Sequence, residues 1–188
     1  MDPSDDPHRV LVYRTIPTDP AVRASSSLFL TEAKDQAGTP SRKLLFSGLS
    51  PAPSAIAQRM GIERGARLLT RRRLMVVDGV PLRLAVSYFL PSIPEADELS
   101  GDTFLEGGLQ QLFDRSGRTF GRAEETLVAR MPSPEEADLL AIPPDEPVAE
   151  IVRSSFDNSG QPVHTLQTIC AASRHVFVVR QPPEDRVF

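Results

Sequence analysis

Two apolar runs joined by Asp78-Gly79 constrain the fold of this chain more than any other feature. An Asp-Gly pair between apolar runs is a strong hairpin signal, because a type I′ turn requires positive φ angles at both central residues. The sequence therefore predicts two antiparallel strands, Ala66–Val77 and Val80–Leu90. We take this hairpin as the centre around which the rest of the chain is organised.

The first strand of the hairpin carries three consecutive arginines, Arg71, Arg72 and Arg73. Side chains alternate across a strand, so Arg71 and Arg73 share a face with Leu69 and Met75, while Arg72 points the other way. Two guanidinium groups on an otherwise apolar face are unfavourable unless an anion meets them. The functional interpretation is a cationic clamp for a carboxylate or phosphate group.

The structural alternative for Arg71 and Arg73 is pairing with acidic side chains such as Glu125 or Glu150, or exposure of their face to water. Glu124 and Glu125 are neighbours on a predicted strand and face opposite ways, which favours a solvated edge over an acid–base pair. The residue pattern alone leaves both interpretations of the two arginines open.

Three further residues are candidates for the same site. Gly108, which follows Gly107 at the start of a predicted helix, could let an anion approach outward-pointing backbone N–H groups; the alternative is a flexible loop. His164 lies on a predicted strand, where a hydrogen-bonded packing role is the alternative to a ligand contact. Ser87 and Tyr88 face opposite ways, so at most one of them lines a site with the arginines.

Composition bounds the class of protein. With 188 residues, 40% of them hydrophobic and 24% charged, the chain is long enough for one globular domain with a core. A net charge of −4 argues against a chain that coats nucleic acid by itself. One cysteine, Cys170, excludes a disulfide framework, and the acidic start at Met1 is unlike a signal peptide. No apolar run is long enough to span a membrane, so we expect a soluble, cytoplasmic protein without a membrane partner.

Periodicity, capping and turn signals predict the other elements. They are a helix over Ser26–Gln36, a short strand Lys43–Ser47, a helix opened by Ser50-Pro51, a helix from Asp102 to about Ser116, a strand Thr119–Met131, a helix opened by the capping box Ser133-Pro134-Glu135-Glu136, a hairpin of Pro147–Phe156 and Gln161–Ala171, and a last strand His175–Arg180. Strands joined by hairpins, with helices between them, predict the α+β class, an antiparallel β-sheet with helices packed on one face.

Signatures of catalysis and metal binding are missing from the sequence. It holds no Gly-x-Gly-x-x-Gly, no phosphate loop, no nucleophile elbow and no His-Glu-x-x-His. His8, His164 and His175 lack metal-ligand spacing, and one cysteine cannot complete a zinc site. We therefore predict no catalytic residue, no metal and no cofactor, and a protein that is not an enzyme.

An ordered series of short motifs runs from about Ala24 to Gln181. The series comprises Ala55–Gly65 (AIAQRMGIERG), Arg71-Arg72-Arg73, Asp78-Gly79-Val80-Pro81, Ser87-Tyr88-Phe89-Leu90-Pro91, Gly107-Gly108, Ala129–Ala137 (ARMPSPEEA), Asp145-Glu146-Pro147-Val148, Ile151-Val152-Arg153 and Gly160-Gln161-Pro162-Val163. In order and spacing it resembles the effector-binding (UTRA) domain of GntR-type bacterial transcriptional regulators of the HutC subfamily.

The resemblance implies a chorismate-lyase-like fold that binds a small effector and forms a homodimer. In such regulators an N-terminal winged helix-turn-helix domain binds operator DNA, and that domain does not match any part of this sequence. The implied organisation is a linker or tail over 1–24, with one edge strand at Val10–Tyr13, an effector-binding domain over 25–182 and a C-terminal tail over 183–188.

Family residues carry over to this chain only where positions match. The Arg-x-Arg of the family, which contacts acidic groups of the effector, matches Arg71 and Arg73, and Ser87 matches a further family position. Relatives often have an acid where this chain has Ala85. They often have Ser-Leu-Tyr where this chain has Gly108-Leu109-Gln110, and Pro-Val-Glu where it has Pro162-Val163-His164. These departures leave the chemical class of the effector open.

The sequence thus predicts a domain that binds an anionic small-molecule effector and dimerises, with operator DNA contacted only through a helix-turn-helix domain. Arg71 and Arg73 are expected to bind the anion, and Ser87, Gly108 and His164 to shape the site. Two alternatives remain. One is a chorismate-lyase-like enzyme, and the other is a module without a DNA-binding domain that forms mixed dimers with a complete regulator.

Overall fold

The computed structural model describes residues 10–15, 39–105, 108–117 and 121–180 of the chain. The helix predicted over Ser26–Gln36 and the predicted C-terminal tail 183–188 lie outside the described residues, as does most of the predicted tail 1–24. The boundaries of the expected effector domain, 25–182, therefore stay predictions.

An antiparallel sheet of six strands forms the centre of the protein, which confirms the predicted α+β class. In chain order the described strands are β1 Val10–Thr15, β2 Pro40–Pro51, β3 Arg67–Val77, β4 Val80–Phe89, β5 Ala123–Arg130, β6 Val148–Phe156, β7 Pro162–Ala171 and β8 His175–Arg180. The six follow the order β2-β3-β4-β7-β6-β5 across the sheet, and β1 and β8 form a separate parallel pair.

Within the described ranges, four α-helices and one 3₁₀ turn connect the strands. They are α1 Ser54–Met60, α2 Ala96–Ser100, α3 Gly108–Arg115, α4 Pro134–Leu140 and the 3₁₀ turn Ala172–Arg174. The central hairpin formed as predicted, with β3 and β4 within one residue of the expected bounds. Its turn residues Asp78 and Gly79 have φ angles of 50° and 80°, the signs that a type I′ turn requires.

The first helix begins later than the sequence predicted. Ser50 and Pro51 do not open a helix but end β2, a strand of twelve residues that pairs with β3 along its whole length. Helix α1 begins at Ser54 and ends at Gly61, whose φ of 64° allows the left-handed cap. Pairing with β3 favoured the extended conformation over the local Ser-Pro signal for a helix start.

The helix predicted from Asp102 to about Ser116 is shorter in the structure, and a separate turn of helix precedes it. α2 spans Ala96–Ser100, and α3 begins only at Gly108. Gly108, the first residue of α3, has a φ of 77°, a conformation that favours glycine. Residues 101–105 between the two helices are extended or bent, for a reason that becomes clear at the candidate site.

Helices cover both faces of the sheet, whereas the sequence predicted helices on one face. Neighbouring strand residues face opposite ways, so Leu68 and Leu69 of β3 mark the two faces. Helices α1 and α4 pack on the side of Leu68, in clusters that contain Ile56, Met60, Val86, Tyr88, Leu84, Leu140 and Ile169. Helices α2 and α3 pack on the side of Leu69, in a cluster with Phe89, Leu99, Leu109, Leu112 and Phe113. Consecutive apolar residues in β3 and β4 require this cover on both sides.

The predicted capping box opens α4. The Ser133 hydroxyl accepts a hydrogen bond from the Glu136 backbone N–H, and the Glu136 carboxylate accepts one from the Ser133 N–H. Pro134 occupies the first helical position. The Arg130 guanidinium then holds the Glu136 carboxylate at 2.7 and 2.8 Å, which fixes the helix to the end of β5.

The two hairpin strands β6 and β7 and the last strand β8 also lie where the sequence predicted them. β5 is shorter than the predicted strand Thr119–Met131 and forms one edge of the sheet. β1 includes the apolar run Val10–Tyr13, in which the sequence predicted an edge strand. Phe177 of β8 packs against the buried residues Met75, Ala85 and Ile151, so β8 covers part of the face that α2 and α3 cover at the other end.

Candidate functional site

Three neighbouring strands bring the predicted site residues to one face of the sheet. Arg71 of β3 pairs with Ser87 of β4, and Ser87 pairs in turn with Leu166 of β7. Arg73 lies two residues from Arg71 on the same strand, opposite Ala85. Because alternate residues of a strand share a face, these side chains lie on one side of the sheet.

His164 and Arg153 extend this cationic surface across the next strands. His164 lies two residues before Leu166 on β7, and Arg153 of β6 pairs with Leu166. The His164 ring stacks on Phe89, which lies on the same face of β4 two residues after Ser87. We call this side of the sheet the arginine face, defined by Arg71, Arg73, Ser87, Arg153 and His164.

Arg71 is 2% exposed and serves as a tether for the segment after α2. Its guanidinium donates four hydrogen bonds, to Ser47 Oγ at 3.2 Å and to the carbonyl oxygens of Leu99 at 2.7 Å, Gly101 at 2.8 Å and Thr103 at 2.6 Å. Desolvation by burial lowers the pKa of Arg71. Three carbonyl groups from one short segment turn towards a single cation, which explains why residues 101–103 do not continue as a helix.

Arg73 has a very different environment, although it is only two residues away. It is 8% exposed, and its Nη2 donates a hydrogen bond of 2.8 Å to Ser87 Oγ. Within the described part of the chain its Nε has no hydrogen-bond partner and its guanidinium forms no salt bridge. Burial, together with the charges of Arg71 and Arg42, lowers the pKa of Arg73 to about 10. Arg73 is thus a buried cation, still charged at neutral pH, next to other cations.

His164 is a buried neutral ring beside this cation. It is 4% exposed, and its ring lies parallel to that of Phe89 with centroids 4.7 Å apart. Among the described residues its Nε2 has no hydrogen-bond partner. Burial and the charges of Arg73 and Arg153 lower the pKa of His164 to about 3. The imidazole therefore offers one donor and one acceptor at neutral pH rather than a positive charge.

Ser87 and Gly108 differ in their relation to the arginines. Ser87 is 2% exposed and accepts the hydrogen bond from Arg73, so it belongs to the same cluster. Gly108 is the first residue of α3, and its N–H donates to the carbonyl oxygen of Leu105 at 3.1 Å. The described contacts do not join Gly108 to the strand residues; it lies beyond the segment that Arg71 tethers. The structure thus gathers four of the five predicted residues and leaves Gly108 at the margin.

The acidic partners considered for the arginines lie elsewhere. Glu150 accepts a 2.7 Å hydrogen bond from Arg130, and Glu125 is 4.0 Å from Arg153. Neither carboxylate forms a salt bridge with Arg71 or Arg73 within the described residues. The partners of Arg71 are backbone carbonyls instead, which neither interpretation of the sequence included.

Sequence reasoning missed three residues of this surface. Arg42 of β2 lies with its guanidinium carbon 4.8 Å from the centre of the Phe104 ring and contributes to the lowered pKa of Arg73. Ser47 of β2 accepts from Arg71, and Arg153 of β6 adds positive charge near His164. The signal for Arg153 was present, because a hairpin register between β6 and β7 puts it on the His164 face. The places of Arg42 and Ser47 on this surface can be inferred only once the pairing of β2 with β3 is known.

Two other kinds of site were searched for in the described residues. No group of three or more His, Cys, Asp and Glu side chains there could hold a metal ion. No helix in that part of the chain is long and apolar enough to cross a membrane. Cys170 is fully buried next to Ala149, as expected for a small core residue.

Comparison with known proteins agrees with this architecture. The family model of the UTRA domain matches residues 35–176, which is most of the chain. The chain belongs to the UTRA family. This is the domain family that the sequence motifs predicted.

Curated relatives of this UTRA domain are transcriptional regulators. An uncharacterized HTH-type transcriptional regulator of Streptomyces coelicolor is 32% identical over 130 residues, which are 67% of this chain and 48% of that protein. An HTH-type transcriptional regulator of Mycobacterium tuberculosis is 30% identical over 146 residues, 77% of this chain and 53% of that protein. The chain spans about half the length of these relatives.

Solved structures share the fold of this UTRA domain. The effector domain of PhnF from Mycobacterium smegmatis superposes with a TM-score of 0.71 at 21% identity, over 91% of this chain and 99% of that one. The C-terminal domain of the histidine utilization repressor from Pseudomonas syringae superposes with a TM-score of 0.65 at 20% identity, over 77% of this chain and 99% of that one. At such identities the likeness concerns the fold.

Proposed function

We propose that this domain binds a small anionic effector on the arginine face and that Arg73 receives the anion. The proposal rests mainly on the environment of Arg73. Its buried guanidinium has cations as charged neighbours, and its Nε has no hydrogen-bond partner among the residues that the structure describes. An unpaired buried charge lowers the stability of a folded protein, so such an arrangement is retained where a ligand completes it. A phosphate or carboxylate group would accept both the Nε and an Nη hydrogen bond of Arg73.

The roles of the two arginines divide in this proposal. Arg71 donates its hydrogen bonds to Ser47 and to the 99–103 segment. It therefore holds this segment in position beside the site and does not itself bind the ligand. Arg73 and Ser87 form the floor, and His164 lies beside them. Gly108 contributes through the start of α3, whose position depends on the tethered segment.

In the whole regulator we propose that the effector changes the geometry of a homodimer and thereby the affinity of a helix-turn-helix domain for operator DNA. Both curated relatives described above are HTH-type regulators, and the match to this chain covers about half of each. An effector can shift such an equilibrium only by the difference between its affinities for the two dimer geometries. We also propose that the regulator belongs to the HutC subfamily and acts in the cytoplasm.

The proposed dimer contact is the edge strand β5. Leu127 and Val128 are neighbours on this strand, face opposite ways, and are 51% and 54% exposed, and Met131 just beyond it is 53% exposed. An edge strand with apolar side chains exposed on both faces is a surface that folded proteins cover. A second copy of the chain would cover it by strand addition or face packing.

We propose binding without turnover. His164, whose pKa lies at about 3, is a neutral imidazole at neutral pH, so it has no acidic imidazolium proton to transfer and is too weak a base to remove one. Arg73 and Ser87 bind charge and supply no acid. Incubating the protein with chorismate and measuring the product over time tests this point, because any turnover above that of an Arg73→Gln variant would show an enzyme.

A thermal-shift screen of acidic metabolites, sugar phosphates and aromatic carboxylates tests the effector proposal. A ligand at about a hundred times its dissociation constant raises the free energy of unfolding by about 2.7 kcal/mol, which is measurable as a higher melting temperature. The variant Arg73→Gln should lose the shift. Arg72→Gln is the matched control, because Arg72 is the neighbouring residue, faces the other way and pairs with Glu135. Retention of the shift in Arg73→Gln would contradict the proposal.

A further inference from the structure

The His164 ring has a fixed position on the arginine face. It stacks on Phe89, which is 1% exposed and meets the Phe113 ring edge-on at a centroid distance of 6.2 Å. Phe113 belongs to α3 and is fully buried in the same cluster. A ring held on one side by this aromatic stack has few orientations, so the polar edge of His164 is presented in one place.

That polar edge lacks a partner in the part of the chain that the structure describes. Nε2 of His164 is buried and has no hydrogen bond to any described residue, as is true of Arg73 Nε. Buried polar atoms are nearly always hydrogen-bonded, and leaving one unsatisfied is unfavourable. Two such atoms of different chemistry, one from a cation and one from a neutral ring, occur on the same face of the sheet.

The charges around these two groups have one sign. The charged groups that act on His164 are Arg73 and Arg153, and those that act on Arg73 are Arg71 and Arg42. Two acids described on this side lie apart from the pair: Glu125 on the edge strand β5, at 4.0 Å from Arg153, and Glu95 at the start of α2, which accepts a hydrogen bond from Ser116 of the segment after α3. An ammonium group beside His164 would therefore meet cations, whereas a hydroxyl or carbonyl oxygen would meet a suitable neutral partner.

We propose that Arg73 and His164 together select the chemical class of the effector: Arg73 binds its phosphate or carboxylate, and His164 hydrogen-bonds a neutral oxygen of the same molecule, so that amino-bearing analogues are rejected. This inference rests on the proposed function, since it assumes that the arginine face is the effector site. It assigns His164 as a specificity-determining residue and predicts hydroxy or oxo acids and unsubstituted sugar phosphates as ligands, rather than amino acids or amino sugars.

Isothermal titration with matched pairs of probes tests the selectivity. The pairs are malate and aspartate, 2-hydroxyglutarate and glutamate, and glucose 6-phosphate and glucosamine 6-phosphate, in each of which a hydroxyl group of the first member is replaced by an ammonium group in the second. For any pair that binds, the member without the ammonium group should bind about tenfold tighter or more, because like charges oppose the other. His164→Glu should narrow or reverse that ratio, and His164→Gln, which keeps a neutral donor and acceptor, should preserve it.

The outcomes separate this inference from the proposed function. Equal binding of both members of a pair, with both lost in Arg73→Gln, would overturn the selectivity and leave the effector site intact. Binding that survives Arg73→Gln would overturn the proposed function itself. If no pair binds, titration of inorganic phosphate is followed through the ring resonances of His164: a shift in the wild-type protein that Arg73→Gln abolishes supports the joint site, and no shift in the wild-type protein overturns it.

Discussion

Arg71 and Arg73 are identical side chains on one strand face, and their different partners lead us to expect opposite effects on stability. The guanidinium of Arg71 is surrounded by carbonyl oxygens that satisfy its donors, and the carbonyls in turn depend on it. The guanidinium of Arg73 has one hydroxyl partner and like charges as neighbours. Burial removes water from both guanidinium groups. The hydrogen bonds that replace this water therefore decide whether each residue stabilises or destabilises the fold.

Replacing Arg71 should damage the fold through the tethered segment. Arg71→Met leaves three buried or half-buried carbonyl groups without their donor, and we expect the free energy of unfolding to fall by about 3 kcal/mol. Hydrogen exchange of the amides at 99–105 should accelerate more than exchange in β6 and β7. Arg72→Met provides the control, because its ion pair with the exposed Glu135 is worth less than about 1 kcal/mol. Unchanged exchange at 99–105 would refute the tether.

His164 should make the fold sensitive to acid. Its pKa lies at about 3 in the folded protein and near the ordinary value of 6.5 in the unfolded chain, so only the unfolded chain takes up a proton as the pH falls below 6.5. Stability that is present above pH 6.5 is therefore lost on acidification, by about 2 kcal/mol between about pH 7 and about pH 5. Urea denaturation of the wild-type protein at both pH values should show this difference. In His164→Asn the free energy of unfolding should depend less on pH. Parallel profiles would contradict a buried neutral ring.

For these residues the sequence predicted the strand face but not the contact partners. Alternation along β3 placed Arg71 and Arg73 on one face, and Ser87 and His164 followed from the hairpin pattern. The different environments of Arg71 and Arg73 could not be predicted, because the carbonyl groups that bind Arg71 belong to residues 28 to 32 positions away in the sequence. Arg42 was missed for the same reason, since its place depends on a strand pairing without a local signal.

Elements with local chemical signals were the predictable ones. The turn at Asp78-Gly79 and the capping box at Ser133 formed as expected, because their hydrogen bonds and φ angles involve residues close in sequence. β2 and the α2–α3 region departed from prediction, because contacts with β3 outweighed local propensity there. Helices on both faces follow from apolar residues at consecutive positions of β3 and β4, a pattern that the predicted single helical layer did not account for.

The capping box of α4 gives a test at the scale of one element. Ser133→Ala removes the acceptor for the Glu136 N–H, and we expect the free energy of unfolding to fall by about 1 kcal/mol. Ser100→Ala is the control, because its hydroxyl donates to Asp97 on the surface and should matter by less than about 0.5 kcal/mol. Chemical denaturation of both variants measures the difference. Equal effects of the two substitutions would show that the cap does not stabilise α4.

At the scale of the whole molecule, the sheet connects three surfaces: the arginine face, the segment tethered by Arg71 and the exposed edge β5. β6 lies between the site and the edge, with Arg153 facing the site while β6 pairs with β5 along its length. An effector bound at Arg73 of β3 would be separated from β6, the strand next to the edge, by β4 and β7. The arginine face crosses these strands as far as Arg153 of β6, so it offers a physical route from the ligand to a dimer contact, and its use depends on a difference in affinity between two dimer states.

The edge strand gives a prediction about assembly. The double variant Leu127→Lys with Val128→Lys places charges on both faces of β5, and we expect it to be monomeric at protein concentrations where the wild-type chain is dimeric. Val80→Lys is the matched control, because Val80 is also an exposed apolar residue, at 45%, but lies at the hairpin turn. Sedimentation equilibrium distinguishes the outcomes. A dimer that persists in the double variant would place the contact elsewhere.

The most direct test of the account compares the melting of the wild-type protein and Arg73→Met with and without an anion. In chloride buffer we expect the variant to be more stable by about 1 to 2 kcal/mol, because it lacks an unpaired buried charge. Adding inorganic phosphate or sulfate at matched ionic strength should raise the melting temperature of the wild-type protein and leave that of the variant unchanged. A variant that is less stable in chloride, or that gains as much from the anion as the wild-type protein, would contradict the claim that Arg73 is held ready for an anionic effector.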